Sequence, residues 1–255
     1  MQFVLHALDS VDSTQTEAQR LAAEGAPEGT VVTARHQRAG RGQRGHEWWD
    51  DPGESLLASL LLRPSAPPAT APQLSLVAGL AVADALDAVG AAARIRWPND
   101  VLVRGRKVCG ILAEASSGRA ASGARAAGDL HHVILGIGIN LNQTRFPAAL
   151  ADRATSLRLV TGRVHDRDAM LAALLAQIGR RYATWRTDGF PALRSDWLGR
   201  SLLPGQIVRL PDGTLGAGEE VRDDGVLLAR ALDGRLVPVV SGWPVEEATA
   251  HAPGH

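Results

Sequence analysis

Between Gln37 and Trp48 the chain reads QRAGRGQRGHEW, so that Arg38, Arg41, Arg44 and His46 alternate with Gly40, Gly42 and Gly45. Glycine lets a backbone approach a ligand closely and reach positive φ. Successive N–H groups in such a turn line an anion-sized concavity, and each arginine fork pairs with phosphate or carboxylate through two parallel hydrogen bonds. The chemistry that suits this stretch is capture of a phosphate-bearing ligand. A solvated Gly/Arg turn has the same composition, and the stretch alone does not separate the two.

Further groups with chemical potential lie along the chain. Ser13 and Thr14 precede a helical composition, TQTEAQRLAAE, where a hydroxyl caps a helix or meets a polar ligand head. Asn99 and Asp100 follow Pro98, which forces an extended or turn conformation before it, so both side chains sit at a turn that can face a cleft. Lys107 opens the strand KVCGILAE after the basic turn Arg104-Gly105-Arg106, a hairpin pattern. Gly136 and Gly138, in HHVILGIGINLN, permit close backbone approach at a strand break that ends in Asn140. No third glycine opens a helix there, so this is not the dinucleotide fingerprint. Cys109 sits in an apolar strand and reads as an inert buried thiol. His131 and His132 are adjacent, point to opposite faces of a strand and make a poor metal pair, so no metal ligands are assigned.

The elements that must carry these groups alternate. Strands are expected at Phe3–Leu8, Gly29–Ala34, Ser55–Leu62, Ala93–Trp97 and Val101–Val103, and helices at Thr14–Glu24, Leu74–Val89, Thr155–Leu159, Asp168–Trp185 and Gly189–Leu198. The basic loop therefore follows a strand end, a rigid support for a ligand loop. Ala115–Gly128 reads as a mobile hairpin tip. After Leu203 the texture changes to short strands (Gln206–Leu210, Leu215–Val221, Val226–Arg230, Leu236–Val240) between Gly/Asp turns, a small antiparallel barrel or sheet, and the boundary falls near Arg200.

Composition limits the partners. The 255 residues carry 27 Lys+Arg against 27 Asp+Glu, so no global field draws nucleic acid or an acidic membrane, and the basic loop is a local feature suited to a small anion. One cysteine makes no internal disulfide, which fits a reducing cytosol. The N-terminus lacks a signal-peptide pattern, and no stretch approaches the roughly 18 uninterrupted apolar residues of a spanning helix.

Taken in order, Asp12-Ser13-Thr14, Gln37-Arg38-Ala39-Gly40-Arg41-Gly42, Arg96-Trp97-Pro98-Asn99-Asp100, Arg106–Glu114 (RKVCGILAE) and Gly136–Asn140 (GIGIN) resemble the biotin protein ligases, biotin–[acetyl-CoA-carboxylase] ligases, over about residues 3–247. The resemblance implies an α+β fold: a mixed-sheet catalytic domain of the class II synthetase-like, biotin/lipoate ligase type over 1–199, with helices on one side. A C-terminal SH3-like β-barrel follows over 200–247, and 248–255 is a frayed tail. It implies biotin and ATP as substrates with Mg²⁺, a biotin carboxyl carrier domain as acceptor, a cytoplasmic location and a possible homodimer. By the same resemblance Lys107, Arg41 and Asp100 are catalytic, Asp100 on the acceptor-lysine and metal side. Ser13, Thr14, Gln15, Gln37, Gly40, Arg41, Gly42, Gln43, Lys107 and Gly110 take biotin, and Arg41, Arg44, Trp48, Asn99, Asp100, Lys107 and Asn140 take ATP or the adenylate. Repressor-type members carry an N-terminal helix-turn-helix; here Asp12-Ser13-Thr14 begins almost at Met1, so no operator binding is expected. Lipoyl or octanoyl transfer on the same architecture, and a module that binds biotin or nucleotide without turnover, are the competing readings.

Two departures stand out. Ser241-Gly242-Trp243 replaces the usual Ser-Gly-Glu. Gln43 occupies a loop position where the family usually has arginine; glutamine donates a hydrogen bond but brings no charge, and Arg44 reaching in from the next position is the compensation expected. Release of biotinyl-AMP is therefore expected to be faster from the native chain than from Gln43→Arg. Stopped-flow dissociation of the adenylate from both proteins checks this; equal or faster release from the variant contradicts it.

Overall fold

Ser55–Leu62 (SLLASLLL) is apolar enough to be buried on both faces, and it forms β3 near the middle of a seven-stranded sheet. A computed structural model of the chain describes residues 1–117 and 130–240. The other strands of this sheet are β1 (Val4–Val11), β2 (Thr30–Gln37), β4 (Ala93–Arg96), β5 (Asp100–Val103), β6 (Arg106–Ser117) and β7 (Leu130–Asn140). They lie in the order β1-β2-β3-β7-β6-β5-β4, with β1 parallel to β2 and every other neighbouring pair antiparallel. The expected hairpin tip falls largely on residues 118–129, outside the described residues, as do the Ser241-Gly242-Trp243 departure and the tail.

Helices cover both faces of the sheet rather than one. Alternation along β3 and β7 sends Leu56, Ala58, Leu60, Leu135, Ile137 and Ile139 into a large core under α2 (Gln73–Asp87), α4 (Arg167–Asp188) and α5 (Pro191–Arg200). The opposite positions, Leu61 and Ile134, join Val32, Ala18 and Ala22 in a smaller cluster under α1 (Thr14–Ala23). Both sets of positions are apolar, so both faces need a cover. A further one-turn helix, α3 (Leu157–Thr161), is capped by Ser156. Pro68–Asp87 is long and apolar enough to cross a membrane, yet 78% of its apolar window is buried inside the molecule; α2 is apolar on all sides because it is a core helix.

β7 runs unbroken through Gly136 and Gly138, both paired to β3 and to β6, so the expected strand break is absent. The glycines serve a close approach from above, not a bend. Near its start a register shift leaves His131 as an extra residue between Leu130 and His132. The two imidazoles meet, Nδ1 to Nδ1, at 2.8 Å instead of pointing apart as plain alternation predicts. Burial first, then His131 and Arg63, depress the His132 pKa to about 4.

After α5, β8 (Ile207–Arg209), β9 (Leu215–Val221), β10 (Leu227–Ala231) and β11 (Leu236–Val239) form a four-stranded antiparallel sheet in the order β11-β10-β9-β8. It docks beside the site. The Gln206 amide accepts from Trp97 N at 2.9 Å and donates to Trp97 O at 2.6 Å, while Gln73 donates to Asp224 O at 3.0 Å. This second sheet thereby holds the backbone just ahead of Asn99 and Asp100.

Candidate functional site

The β6–β7 register sets Gly110 opposite Gly138 and Leu112 opposite Gly136, and β3 adds Leu57 beside Gly138 and Ser59 beside Gly136. These positions share the face that α1 covers in part. Beyond the end of α1 they form the floor of a pocket walled by Ser13, Thr14, Gln15, Gln37, Arg41, Gly42, Gln43, Asn99 and Lys107. Trp48 lies across the two facing glycines. A Cβ at Gly138 would come within 2.6 Å of its ring, and one at Gly110 within 2.8 Å. With the indole in place the cavity is about 50 Å³, room for about three or four waters. The buried indole Nε1 has no hydrogen-bond partner among the described residues.

One end of the pocket is polar and uncharged. Gln37 Oε1 accepts from Thr14 N at 2.8 Å and from Thr14 Oγ1 at 3.0 Å. Ser59 Oγ lies 2.9 Å from Thr14 Oγ1 and donates to Gln15 Oε1 at 3.2 Å; Gln15 Nε2 donates to Ile134 O at 3.1 Å. Ser13 caps α1, its Oγ accepting from Gln15 N. Each of these groups is buried and paired, so the patch is preorganised and presents donors and acceptors in fixed directions. Ser59 was not singled out from sequence. Its signal is a hydroxyl interrupting an apolar strand, in register with Thr14 and Gln15 only once the sheet is assembled.

The other end carries charge, and a bulge puts it there. Between β5 and β6 the register jumps from Val101↔Cys109 to Leu102↔Lys107, so Val108 is an extra residue. Val108 and Cys109 both face the core, and Lys107 is brought to the same side as Gly110, where a Cβ at Gly110 would lie 3.1 Å from Nζ. Strict alternation would point Lys107 away; bulges re-aim side chains in this manner. Lys107 Nζ pairs with Asp100 Oδ1 at 2.6 Å, and Arg96 Nη2 with Asp100 Oδ2 at 2.6 Å. Asp100 is 6% exposed, and two cations face its carboxylate. Asn99 is fixed by reciprocal bonds with Ile111, Nδ2 to Ile111 O at 2.8 Å and Ile111 N to Asn99 O at 2.9 Å. Burial pushes the Cys109 thiol far up, against the lowering effect of Lys107, which fits the inert reading from sequence.

The Gly/Arg loop is ordered as a small hairpin. Trp48 N donates to Gly40 O at 3.0 Å, Gly42 N to His46 O at 2.7 Å, and Gln43–Gly45 make one 3-10 turn. Gly40 is required because a Cβ would meet the Trp48 carbonyl at 2.5 Å; its role is in the hairpin, and it does not line the pocket. Arg41 Nη2 donates to Glu114 Oε1 at 2.7 Å. Arg38 turns outward to Asp12 and Ser10. The Arg44 side chain lies outside the described residues.

Asn140 lies one step beyond Gly138 on the same face but off the pocket lining. Its amide donates to Thr155 O at 3.0 Å, and Thr155 N donates to Lys107 O at 2.9 Å. Asn140 thus ties down the segment that secures the Lys107 backbone. Asp100 likewise lies off the pocket lining, against Lys107. Among the described residues no group of three or more His, Cys, Asp or Glu side chains is placed to hold a metal ion.

A profile of the biotin/lipoate A/B protein ligase family matches residues 7–140. The chain belongs to that family. Within this ligase family it is 40% identical over 239 residues to the biotin–[acetyl-CoA-carboxylase] ligase of Paracoccus denitrificans, covering 90% of this chain and 95% of that one. It is 38% identical over 234 residues to the bifunctional ligase/repressor BirA of Bacillus subtilis, covering 89% and 69% respectively. The solved biotin protein ligase of Aquifex aeolicus in complex with biotin and ATP superposes with a TM-score of 0.77 at 31% identity, over 93% of this chain and 96% of that one.

The Trp48–glycine contact yields a direct test of the site's construction. Gly138→Ala is expected to destabilise the chain by about 1–3 kcal/mol in urea unfolding, the usual cost of overpacking. In a Trp48→Ala background the same substitution is expected to cost less than about 0.5 kcal/mol, since coupling vanishes when the partner is gone. Equal costs in both backgrounds would remove the indole from the glycine floor.

Proposed function

We propose that this chain is an ATP-dependent biotin protein ligase that activates biotin and passes it to a lysine of a biotin carboxyl carrier domain. The observation that carries this reading is the division of one pocket. A neutral, fully paired polar patch at Ser13, Thr14, Gln15, Gln37 and Ser59 suits the ureido ring of biotin. The cations Lys107 and Arg41, with the amides of the Gly/Arg loop, suit the carboxylate and phosphates at the other end.

In the first step a biotin carboxylate oxygen attacks the α-phosphorus of Mg-ATP. A P–O bond forms, the bond from the α-phosphorus to the α,β-bridging oxygen breaks, and pyrophosphate leaves with the electron pair. Two anions must meet, so cation and N–H donors aimed at the developing charge supply most of the stabilisation. Lys107 would bridge carboxylate and α-phosphate, and Arg41 would hold phosphate from the loop side. Magnesium would enter as part of the nucleotide: among the described residues no all-protein cage is offered, and magnesium prefers phosphates, waters and one or two carboxylates. In the second step the neutral ε-amine of the acceptor attacks the mixed anhydride, an amide C–N bond forms, and AMP leaves. Asp100 has one oxygen on Arg96 and one on Lys107. When Lys107 turns to the ligand, the freed oxygen is available to orient the acceptor ammonium and draw its proton. In this reading Asn99 would face the nucleotide with Asn140 supporting the Lys107 segment behind it, and Gly42, Gln43 and Gly110, which line the pocket, would border biotin.

Trp48 lies over the glycine floor, so a ligand that lies on that floor would displace the indole. Reclosure would exclude water from a hydrolysable anhydride. Pairing of two copies along the open edge of β1, where Val4 and Leu5 are 44% and 53% exposed, is compatible with this scheme.

The decisive assay is intact-mass measurement of a carrier domain after incubation with biotin, Mg-ATP and the protein. A biotin-sized gain on one acceptor lysine is expected, and Cys109→Ser is expected to react at a near-native rate. No gain from biotin, a lipoyl or octanoyl gain instead, or loss of activity in Cys109→Ser would each contradict the reading.

A further inference from the structure

Arg41 is tied to a residue that its own loop does not contain. Glu114, on the pocket face of β6 two alternate positions beyond Gly110, accepts Arg41 Nη2 at 2.7 Å through Oε1. Its other oxygen, Oε2, accepts Gln19 Nε2 at 2.7 Å. Gln19 stands one helical turn after Gln15 on α1. Loop, strand and helix are thus joined through one carboxylate, and the helix is the same one that carries the polar end of the pocket.

A guanidinium presents five N–H donors in a planar fork. Glu114 engages Nη2, and among the described residues Nε and Nη1 have no other partner and remain for a ligand. An arginine on a glycine-rich hairpin would otherwise have to give up rotamer freedom at the moment of binding, and fixing it beforehand removes that cost. Gln19 supplies the second half of the device: with both oxygens held, the carboxylate cannot swing with the loop. A contact meant only to sequester Arg41 from ligand would not need its acid pinned from behind.

We propose that Glu114 is a positioning residue for Arg41: anchored by Gln19, it aims the remaining guanidinium donors at the adenylate phosphate. The proposal rests on the reading of the pocket as an adenylate-forming site and deepens it. It adds α1 and the middle of β6 to the machinery that retains the intermediate.

The test compares native protein with Glu114→Ala, Glu114→Gln, Gln19→Ala, Arg41→Ala and the Arg41→Ala/Glu114→Ala double variant. Biotinyl-AMP dissociation, KM for Mg-ATP, biotin affinity and thermal midpoint are measured for each. Glu114→Ala is expected to release the adenylate about tenfold faster, as for loss of a charge-assisted hydrogen bond, and to raise KM for Mg-ATP. Its biotin affinity and thermal midpoint should stay near native. Glu114→Gln keeps an acceptor for Arg41 and should fall between; Gln19→Ala should shift in the same direction by less. In the Arg41→Ala background, removing Glu114 should add nothing. Native-like adenylate release in Glu114→Ala, slower release, or a full additional effect in the double variant each overturns the proposal. Failure of the native protein to form any adenylate would instead overturn the reading of the site, and this inference with it.

Discussion

Everything at the site depends on the register between β6 and β7. Gly110 must face Gly138, because only two facing glycines leave a flat floor on which an indole, or a ligand in its place, can lie. A slip by one residue would exchange that floor for Cys109 and Ile139 and turn the glycines into the core. The register is protected on the other face, where Ile111, Leu135, Ile137 and Ile139 are buried in the main core. The apolar core and the polar pocket are two sides of one sheet, and packing on the first fixes geometry on the second.

The bulge at Val108 solves a conflict that this sheet creates. The core needs Val108 and Cys109, and the pocket needs a cation from the same strand. One extra residue lets both apolar side chains point down and Lys107 point up. Arg96, Asp100 and Lys107 then form a group of one buried acid between two cations. Such a group adds little net stability, but removing either cation leaves the Asp100 carboxylate under-compensated, which is costly. Its value is geometric, since Lys107 is held at the pocket rim by a partner that is itself held from behind.

Much of this was legible in the residues. The alternating apolar pattern and the Gly/Asp turns located nearly every element, and Ser13 capping α1 followed from its place before a helical composition. The local pattern offered only Ser13 and Thr14, as a helix cap or a place for a polar ligand head; Gln15 and Gln37 were singled out through the family resemblance. What escaped depends on register, which no local pattern encodes. Lys107 reaches the pocket only through a bulge. His131 and His132 meet only because of another. Ser59 and Glu114 look like ordinary strand residues until β3 and β6 are aligned with α1 and the loop. Helices on the second face were missed because β7 is apolar at both alternate positions, which reads equally well as one buried face or two. The tie from the Asn140 amide to Thr155, and from Thr155 to the Lys107 backbone, also appears only once the strands are assembled.

The central claim is that Lys107, lifted by the bulge and held by Asp100, drives carboxylate activation in a pocket floored by Gly110 and Gly138. Biotin-dependent exchange of labelled pyrophosphate into ATP, measured for native protein and Lys107→Met, tests it most directly. The account predicts exchange in the native protein and a loss of at least about a hundredfold in the variant, as for removal of a group that stabilises transition-state charge, with biotin still bound. Biotin binding without exchange in the native protein, or undiminished exchange in Lys107→Met, would contradict it.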